Sequence, residues 1–322
     1  MEENLRVGEG AAVCPDCSSV MIYNADMRKL VCECCNATQD IDLTAHEAAQ
    51  ENDYDDAQDA IEPSHLIPFM LGEETARASL ADWIKRKWLV PRKLKRMATH
   101  GEMSGVYYPY WTYDAQTSAK YIANSGKNYT ATVQAQRMEN NKIVTYNTTE
   151  KKIKWVRVSG NYQFFADDVL INATREDMVE ICRRVEPFDH SALIPYDPRL
   201  LAGYRVEADT VGLADGLELA KKRIEQMALD GIDDEVRRVY RADEVDNIRF
   251  STGYDNVKYK HILLPLWVST YTYRGKNYHY VVNGQTGKAD GDTPSSPLKI
   301  GALALLCAAA AAALIYLWWY LR

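Results

Sequence analysis

The chain has 322 residues, of which 26% are charged and 47% hydrophobic, and a formal net charge of −7. This composition is typical of globular proteins and excludes a chain that is disordered throughout or collagen-like. The length allows about two domains with accessory segments. Because the net charge is negative, no basic field over the whole molecule favours nucleic acid, and any basic surface must be local.

Five of the seven cysteines lie within the first 35 residues, where two CxxC pairs are separated by 14 residues. Paired CxxC motifs at such a spacing are typical of a structural zinc site with four thiolate ligands. The sequence predicts one Zn²⁺ ion held by Cys14, Cys17, Cys32 and Cys35, with Cys34 as a spare thiol. Four thiolates leave no open coordination position, so we do not expect a catalytic zinc.

Short strand patterns at residues 20–23 and 29–31 flank a turn at residues 24–26. Together with the cysteine pairs, they predict a zinc ribbon over residues 1–39. Clustered metal-binding thiols suit a reducing compartment. Residues 1–10 are polar, which predicts no cleavable signal peptide, so we expect the N-terminal domains to be cytoplasmic.

Residues 40–64 form an acidic segment, with nine acidic and no basic residues between Asp40 and Glu62. Such a composition buries little surface and predicts a solvated linker that lets the ribbon move independently. The alternative is an acidic segment that attracts a basic partner.

Two apolar stripes with helical spacing, starting near Ala76 and Leu213, are each followed by strand patterns containing a Pro-x-Trp motif at residues 109–111 and 265–267. This loose repetition predicts an α+β fold with a duplicated helix plus antiparallel-sheet core. The first α+β unit is predicted over residues 65–192 and the second over residues 193–291.

Alternation of apolar and polar residues over Tyr129–Met138 and Ile153–Val158 predicts strands of antiparallel hairpins. A third short helix is predicted after a cap at Thr174, with Cys182 on its inward face. We therefore expect Cys182 to be a core residue and not a nucleophile.

Residues 300–321 are 22 consecutive uncharged residues that follow a juxtamembrane linker at residues 292–299. A helix of this length measures about 33 Å, enough to cross a hydrocarbon core of about 30 Å. The sequence predicts a single-pass protein of the cell membrane, the alternative being a buried core helix. Lys299 and Arg322 place one positive charge at each end, so the orientation rests on the cytoplasmic metal site.

Seven basic residues lie between positions 85 and 96, interleaved with tryptophan. They are Lys85, Arg86, Lys87, Arg92, Lys93, Lys95 and Arg96. Cations beside aromatic rings can contact anionic lipid headgroups or nucleic acid. The alternative is an amphipathic helix with tryptophan in the core and solvated lysines.

The sequence contains no GxxxxGK[ST], HExxH or GxSxG motif and no GxGxxG after a strand pattern. Its six histidines are scattered, and the adjacent acids Asp167 and Asp168 point in different directions on any regular element. We therefore predict that the protein is not an enzyme. Hydrolase or ligand-binding activity in a pocket between the two units is a further alternative.

The cysteine pairs, the strand at residues 108–111, the stretch from Leu264 through Tyr278 and the Asn-Gly-Gln-Thr-Gly run at residues 283–287 occur in one chain with Pro294. Together they resemble the bacterial TFIIB-type zinc-ribbon proteins, which are often labelled primosomal or helicase-like. The chain departs from the usual CPxCG pattern, with Ser18 and Asn36 where glycine is common.

Members of that family with a C-terminal membrane helix are similar to the zinc-ribbon partner encoded beside SPFH-domain and phage-shock-type coiled-coil proteins. The resemblance implies a membrane-anchored adaptor that recruits an SPFH-domain protein in an envelope-stress response. The alternative is a nucleic-acid-binding zinc-ribbon protein tethered to the membrane. The helicase label lacks support in the sequence, because a helicase needs a phosphate-cradling loop.

Overall fold

A computed structural model describes residues 6–7, 12–43, 52–54, 62–91, 95–96, 101–139, 142–174 and 179–320. The described strands are β1 (Arg6–Val7), β2 (Met21–Asn24), β3 (Lys29–Cys32), β4 (Thr38–Asp40), β5 (Asn52–Asp53), β6 (His65–Leu66), β7 (Ser104–Glu139), β8 (Lys142–Asn172), β9 (Ile194–Pro195), β10 (Arg205–Val206), β11 (Glu244–Tyr273), β12 (Lys276–Asn283) and β13 (Ala289–Gly291). The described helices are α1 (Glu73–Arg86), α2 (Val179–Arg184), α3 (Leu213–Tyr240) and α4 (Pro297–Tyr320). This arrangement confirms the α+β class.

Three long strands dominate the main sheet. The central strand β7 has 36 residues, and β8 pairs with it antiparallel from Tyr110↔Asn172 to Glu139↔Lys142. On its other edge, β11 pairs antiparallel from Val268↔Ser104 only as far as Glu244↔Gly126. Beyond Gly126, β8 is the only described strand that pairs with β7. We call this two-stranded part, residues 127–139 and 142–154, the arm; it extends about 40 Å from the rest of the sheet.

Helix α3 covers one face of the sheet up to the start of the arm. Its inward side chains recur every four residues, and each is fully buried. They are Ala220, Ile224, Ala228, Ile232 and Val236. After α3 the Asp243 amide donates to the Gly126 carbonyl at 2.9 Å, and β11 begins at the next residue, beside β7. The end of α3 therefore marks the boundary between the covered sheet and the arm.

The two predicted units share one sheet and are not separate bodies. Helix α1 of the first unit packs on β12 of the second unit. The Trp83 ring is edge-on to the Tyr280 ring, with 5.6 Å between the centroids. Helix α3 of the second packs on β7 and β8 of the first, in one core cluster with Tyr121 and Val158. The strands Tyr129–Met138 and Ile153–Val158 are confirmed, although each is part of a much longer strand.

Helix α4 begins at Pro297, three residues before the predicted start, and is exposed from Ile300 to Tyr320. Its segment Lys299–Tyr320 is long and apolar enough to cross a membrane. In α2, Cys182 is fully buried, as predicted. Residues 175–178, which hold the predicted start of that helix, lie outside the described residues, as do residues 44–51 and 55–61 of the acidic segment.

Candidate metal centre

Each CxxC pair lies in a tight loop with the same backbone hydrogen bonds. In the first loop, the Ser18 amide donates to the Cys14 carbonyl at 2.9 Å, and the Cys14 amide donates to the Ser19 carbonyl at 2.8 Å. In the second, Asn36 donates to the Cys32 carbonyl at 3.0 Å, and Cys32 donates to the carbonyl five residues on at 2.9 Å. The repeated pattern aims both cysteine pairs at one point.

The two positions where glycine is common both adopt left-handed backbone. The φ angle is 60° at Ser18 and 58° at Asn36. Asparagine tolerates this conformation, whereas serine pays a steric penalty because its Cβ approaches the following carbonyl. The departure from glycine therefore leaves the loop geometry in place.

Four sulfur atoms meet between the loops. The Sγ atoms of Cys14, Cys17, Cys32 and Cys35 all lie within 4.8 Å of one another. The Cys14–Cys35 Sγ distance is 3.6 Å and the Cys17–Cys32 Sγ distance is 3.4 Å. Four ligands at about 2.3 Å from a tetrahedral Zn²⁺ would be about 3.8 Å apart. The cluster could therefore hold a metal ion of this size.

The electrostatics of the cluster fit a cation. Hydrogen bonds from Ser19, and then one from Cys32, lower the pKa of the Cys17 thiol to about 6. At Cys35 the Ala37 amide lowers the pKa, but the three neighbouring cysteines outweigh it and raise the pKa to about 12. The neighbouring thiols therefore disfavour ionisation of Cys35, and a positive charge among the four sulfur atoms would favour it.

Cys34 is exposed and is not part of the four-sulfur cluster. Its role as a spare thiol stays a prediction, with which this geometry is consistent. Cys14 and Cys32 are buried, whereas Cys17 and Cys35 are exposed. The cluster thus lies at the rim of the ribbon, with one cysteine of each pair facing the core.

The ribbon packs firmly against the main sheet, which differs from the prediction of an independently moving ribbon. The Tyr23 amide donates to the Ala202 carbonyl at 3.2 Å, and its hydroxyl donates to the Phe69 carbonyl at 3.2 Å. The Gly72 amide donates to Asp26 Oδ1 at 3.0 Å, and a Cβ at Gly72 would collide with that carboxylate. The acidic composition of the linker carries no information about these contacts.

The structure brings part of the predicted basic cluster together. Lys85, Arg86 and Lys87 are exposed at the end of α1, and Lys95 Nζ donates to the Lys85 carbonyl at 2.9 Å. Arg96 is exposed next to Lys95. Arg92 and Lys93 lie outside the described residues.

A partly buried ionic cluster was missed by the sequence analysis. Lys260 Nζ lies 3.0 Å from Asp168 and 3.6 Å from Asp114, and His190 Nδ1 lies 2.8 Å from Asp168. Burial raises the pKa of Asp168, but His190 and Lys260 outweigh it and hold the pKa at about 2. The cluster fastens three strands at the level of Asp114.

The bulges that create this cluster could not be read from local patterns. The register of β7 shifts against β8 between Tyr113 and Ala115, and against β11 opposite residues 255–258. At the first bulge, Asp168 adopts a φ of 45° and turns toward Lys260. The adjacency of Asp167 and Asp168 was the only local signal, and it does not reveal a partner from β11.

Among the described residues, a cavity of about 1070 Å³ lies between α2, α3 and β8. Residues of both predicted units line it, including Tyr110 and Lys222. Arg223 in its wall donates to the Leu170 carbonyl at 2.6 Å and to Glu186 at 2.7 Å. This arginine is thus engaged in fixing α3 to β8.

Comparisons with known proteins add one relative. No protein-family model matches the chain, and no solved structure matches it. The chain is similar to the uncharacterized protein YdjG of Bacillus subtilis (strain 168), with 23% identity over 328 residues. The match covers 90% of this chain and 91% of the relative. The likeness therefore extends over most of both chains.

Proposed function

We propose that the protein is a non-enzymatic adaptor, anchored in the cell membrane by α4, that binds cytosolic proteins with its N-terminal domains in the cytoplasm. One structural Zn²⁺ ion would be held by the four-cysteine cluster, with all ligand positions filled by the chain. Its role would be to fix the ribbon against the main sheet. The observation that supports an adaptor most directly is the apolar face of the arm.

This apolar face continues the face that α3 covers. Tyr121 and Ala123 of β7 point toward α3 and are buried. No register shift separates them from the arm, so later odd-numbered side chains lie on the same face. After Ser125 and Lys127 they are Tyr129, Ala131, Val133 and Ala135, while the even-numbered β7 residues from 128 to 136 are all polar.

Side chains from β8 widen this face. Tyr146 pairs with Ala135 and Val156 pairs with Ser125, which places both on the α3 side of the sheet. Tyr146 is 44% exposed, Val156 is 53% exposed and Tyr129 is 49% exposed. We call these side chains, with Ala131, Val133 and Ala135, the uncovered face. Lys152 pairs with Tyr129 and Lys154 pairs with Lys127, so cations lie among these apolar side chains. Exposed apolar side chains also lie on the opposite face, at Met138, Ile143, Ile153 and Trp155. Exposed apolar side chains interleaved with cations suit a protein-binding site.

A helical partner suits the uncovered face. Helix α3 already covers the adjoining part of the same face, so a second amphipathic helix can continue along it in the same way. The arm carries six basic and two acidic residues on a chain whose net charge is −7. We therefore expect a partner with an amphipathic helix and acidic residues beside its apolar stripe.

The resemblance to TFIIB-type zinc-ribbon proteins suggests which partners to test. It implies an SPFH-domain or phage-shock-type coiled-coil protein, and a coiled coil supplies the amphipathic helix that the uncovered face accepts. Recruitment of the SPFH-domain protein to the membrane in an envelope-stress response is part of this proposal.

Affinity purification of the full-length protein from detergent-solubilised bacterial membranes tests the proposal. We compare two variants that add the same charge to opposite faces of one strand. Tyr129→Asp with Val133→Asp alters the uncovered face. Thr130→Asp with Gln134→Asp alters polar β7 side chains on the opposite face, and we call this pair the polar-face variant. We expect the parent and the polar-face variant to recover a stoichiometric amount of an SPFH-domain or coiled-coil protein. The uncovered-face variant should recover at least tenfold less of it, because burying an unpaired carboxylate in the interface is costly.

Two results would contradict the adaptor. Equal recovery with both variants would remove the uncovered face as the binding site. Recovery of DNA without a protein at comparable amount would favour the alternative, a membrane-tethered nucleic-acid-binding protein. The basic residues at the end of α1 support that alternative, and it requires DNA affinity that falls steeply with salt.

A further inference from the structure

The base of α4 is fastened to the segment that follows α1. Lys299 Nζ donates to the Trp88 carbonyl at 2.6 Å and to the Val90 carbonyl at 2.8 Å. The Ser296 amide donates to the Leu89 carbonyl at 2.9 Å. Three hydrogen bonds therefore hold this segment beside the helix start, although the two are about 200 residues apart in sequence.

This contact sets the position of the segment relative to a membrane. The uncharged part of α4 begins at Ile300, directly after Lys299. Lys299 therefore lies where a spanning helix leaves the hydrocarbon, at the level of the lipid headgroups. Because Lys299 binds the Trp88 and Val90 carbonyls, the segment lies at the same level.

The segment presents cations and an aromatic ring at that level. Lys85, Arg86 and Lys87 are exposed, and Trp88 is 56% exposed. Lys85 also pairs with Asp82 at 2.9 Å. The charges of Arg86 and Lys87 are well placed to contact lipid phosphate groups. Tryptophan favours the interface between headgroups and hydrocarbon.

Two further cations belong to the same surface. Lys95 reaches the Lys85 carbonyl, and Arg96 beside it is exposed. Burial, and then the charge on Lys299, lower the pKa of Lys95, which shows that these two cations lie near each other. An anionic group between Lys95 and Lys299 would relieve the repulsion between their charges.

We propose that residues 85–90 and 95–96, with Lys299, form a docking surface for anionic phospholipid in the membrane that α4 crosses. We call it the headgroup collar. Its cations contact lipid phosphates, and the Trp88 ring enters the interface. This inference rests on the membrane anchoring in the proposed function, and it is independent of the protein partner.

Hydrogen exchange of the full-length protein in lipid nanodiscs tests the headgroup collar. The probes are discs of phosphatidylcholine alone and discs with an equal part of phosphatidylglycerol. We expect peptides covering residues 85–96 to exchange about tenfold more slowly in the anionic discs, because each cation near an anionic surface contributes about a fivefold gain in binding. High salt should remove the difference, because it screens exposed charges.

Two matched triple variants test whether the cations of the headgroup collar cause the slower exchange in anionic discs. Lys85→Gln with Arg86→Gln and Lys87→Gln should abolish the difference between the two discs. Lys151→Gln with Lys152→Gln and Lys154→Gln removes three exposed cations from the arm and should leave it unchanged. Exchange in the rest of the sheet reports whether each variant is folded.

The outcomes separate this inference from the proposed function. Insertion into both discs with equal exchange at residues 85–96 would overturn the headgroup collar and leave the anchor intact. Failure to insert at all would overturn the membrane anchor and the collar together. The discs contain no partner protein, so neither result depends on the uncovered face.

Discussion

The covered sheet and the arm are two parts of the same pair of strands with opposite surroundings. In the covered sheet, Tyr121 and Ala123 of β7 lie against Ile232 of α3, and all three are at most 3% exposed. In the arm, Tyr129 continues the same face and is 49% exposed. Apolar side chains recur along this face of β7 in both parts, whereas the covering helix α3 and the third strand β11 are described only in the covered sheet.

This difference shows what an alternating strand pattern specifies. It specifies that one face is apolar, but not which element covers that face. In the covered sheet the cover comes from the same chain. In the arm the described residues supply no cover, and we propose that a partner does. Stability should therefore depend on the covered sheet, and binding on the arm.

The largest effect is expected from loss of the metal site, and it should be confined to the ribbon. Cys14→Ser or Cys35→Ser removes one thiolate ligand, and a structural zinc site contributes about 10 kcal/mol or more of binding free energy. We expect loss of the bound metal, measured by elemental analysis of the purified protein, and faster hydrogen exchange in β2 and β3. Exchange in the arm should not change.

Cys34→Ser is the matched control for the metal site, because this thiol lies two positions from Cys32 but outside the cluster. The variant should keep a full complement of metal. Metal loss in Cys34→Ser would mean that the second pair of ligands is assigned wrongly.

A cavity under α3 should have the next largest effect. Ile224 is fully buried among the side chains of the covered sheet, so Ile224→Ala should lower the free energy of unfolding by about 2–5 kcal/mol. Denaturant titration in detergent micelles measures this change. A loss below about 0.5 kcal/mol would show that α3 does not stabilise the sheet.

The ionic cluster at the bulges should make stability depend on pH. The pKa of Asp168 is held at about 2, below the usual 3.8, so the ionised form stabilises the folded protein. This contribution, about 2 kcal/mol, is fully present above pH 3.8 and is lost as the pH falls toward 2. Denaturant titration at several pH values should show that the parent has a larger free energy of unfolding than Asp168→Asn above pH 3.8. This difference should disappear as the pH falls toward 2. A difference that stays constant with pH would contradict the assignment.

The smallest expected effect on stability is in the arm. Val133→Ala removes two methyl groups from the uncovered face, and we expect a change within about 0.5 kcal/mol in the free energy of unfolding. The same substitution should weaken partner binding measurably. A stability loss as large as that of Ile224→Ala would show that the arm is covered within the chain and would break the comparison.

Elements with a short local signal were predictable from the sequence. The cysteine spacing predicted the four residues that meet in the cluster, and the uncharged stretch after Lys299 predicted an apolar helix. The buried position of Cys182 also agrees with its prediction as a core residue. In each case the information lies within a few neighbouring residues.

Elements that depend on distant contacts were not predictable. The ionic cluster joins Asp114, Asp168 and Lys260 across two bulges, and the ribbon is fixed by contacts such as Tyr23 with Phe69. The duplication of the core stays a prediction. It is consistent with the antiparallel pairing of the two Pro-containing motifs, where Tyr108 faces Leu264.

Site-specific photocrosslinking in bacterial membranes tests the central claim most directly. A photoreactive residue replaces Val133 on the uncovered face or Gln134 on the polar face of the full-length protein. The account predicts a single protein adduct at position 133, identified as an SPFH-domain or coiled-coil protein, and at least tenfold less at position 134. Equal adducts at both positions, or none at position 133, would contradict an adaptor that binds through the arm.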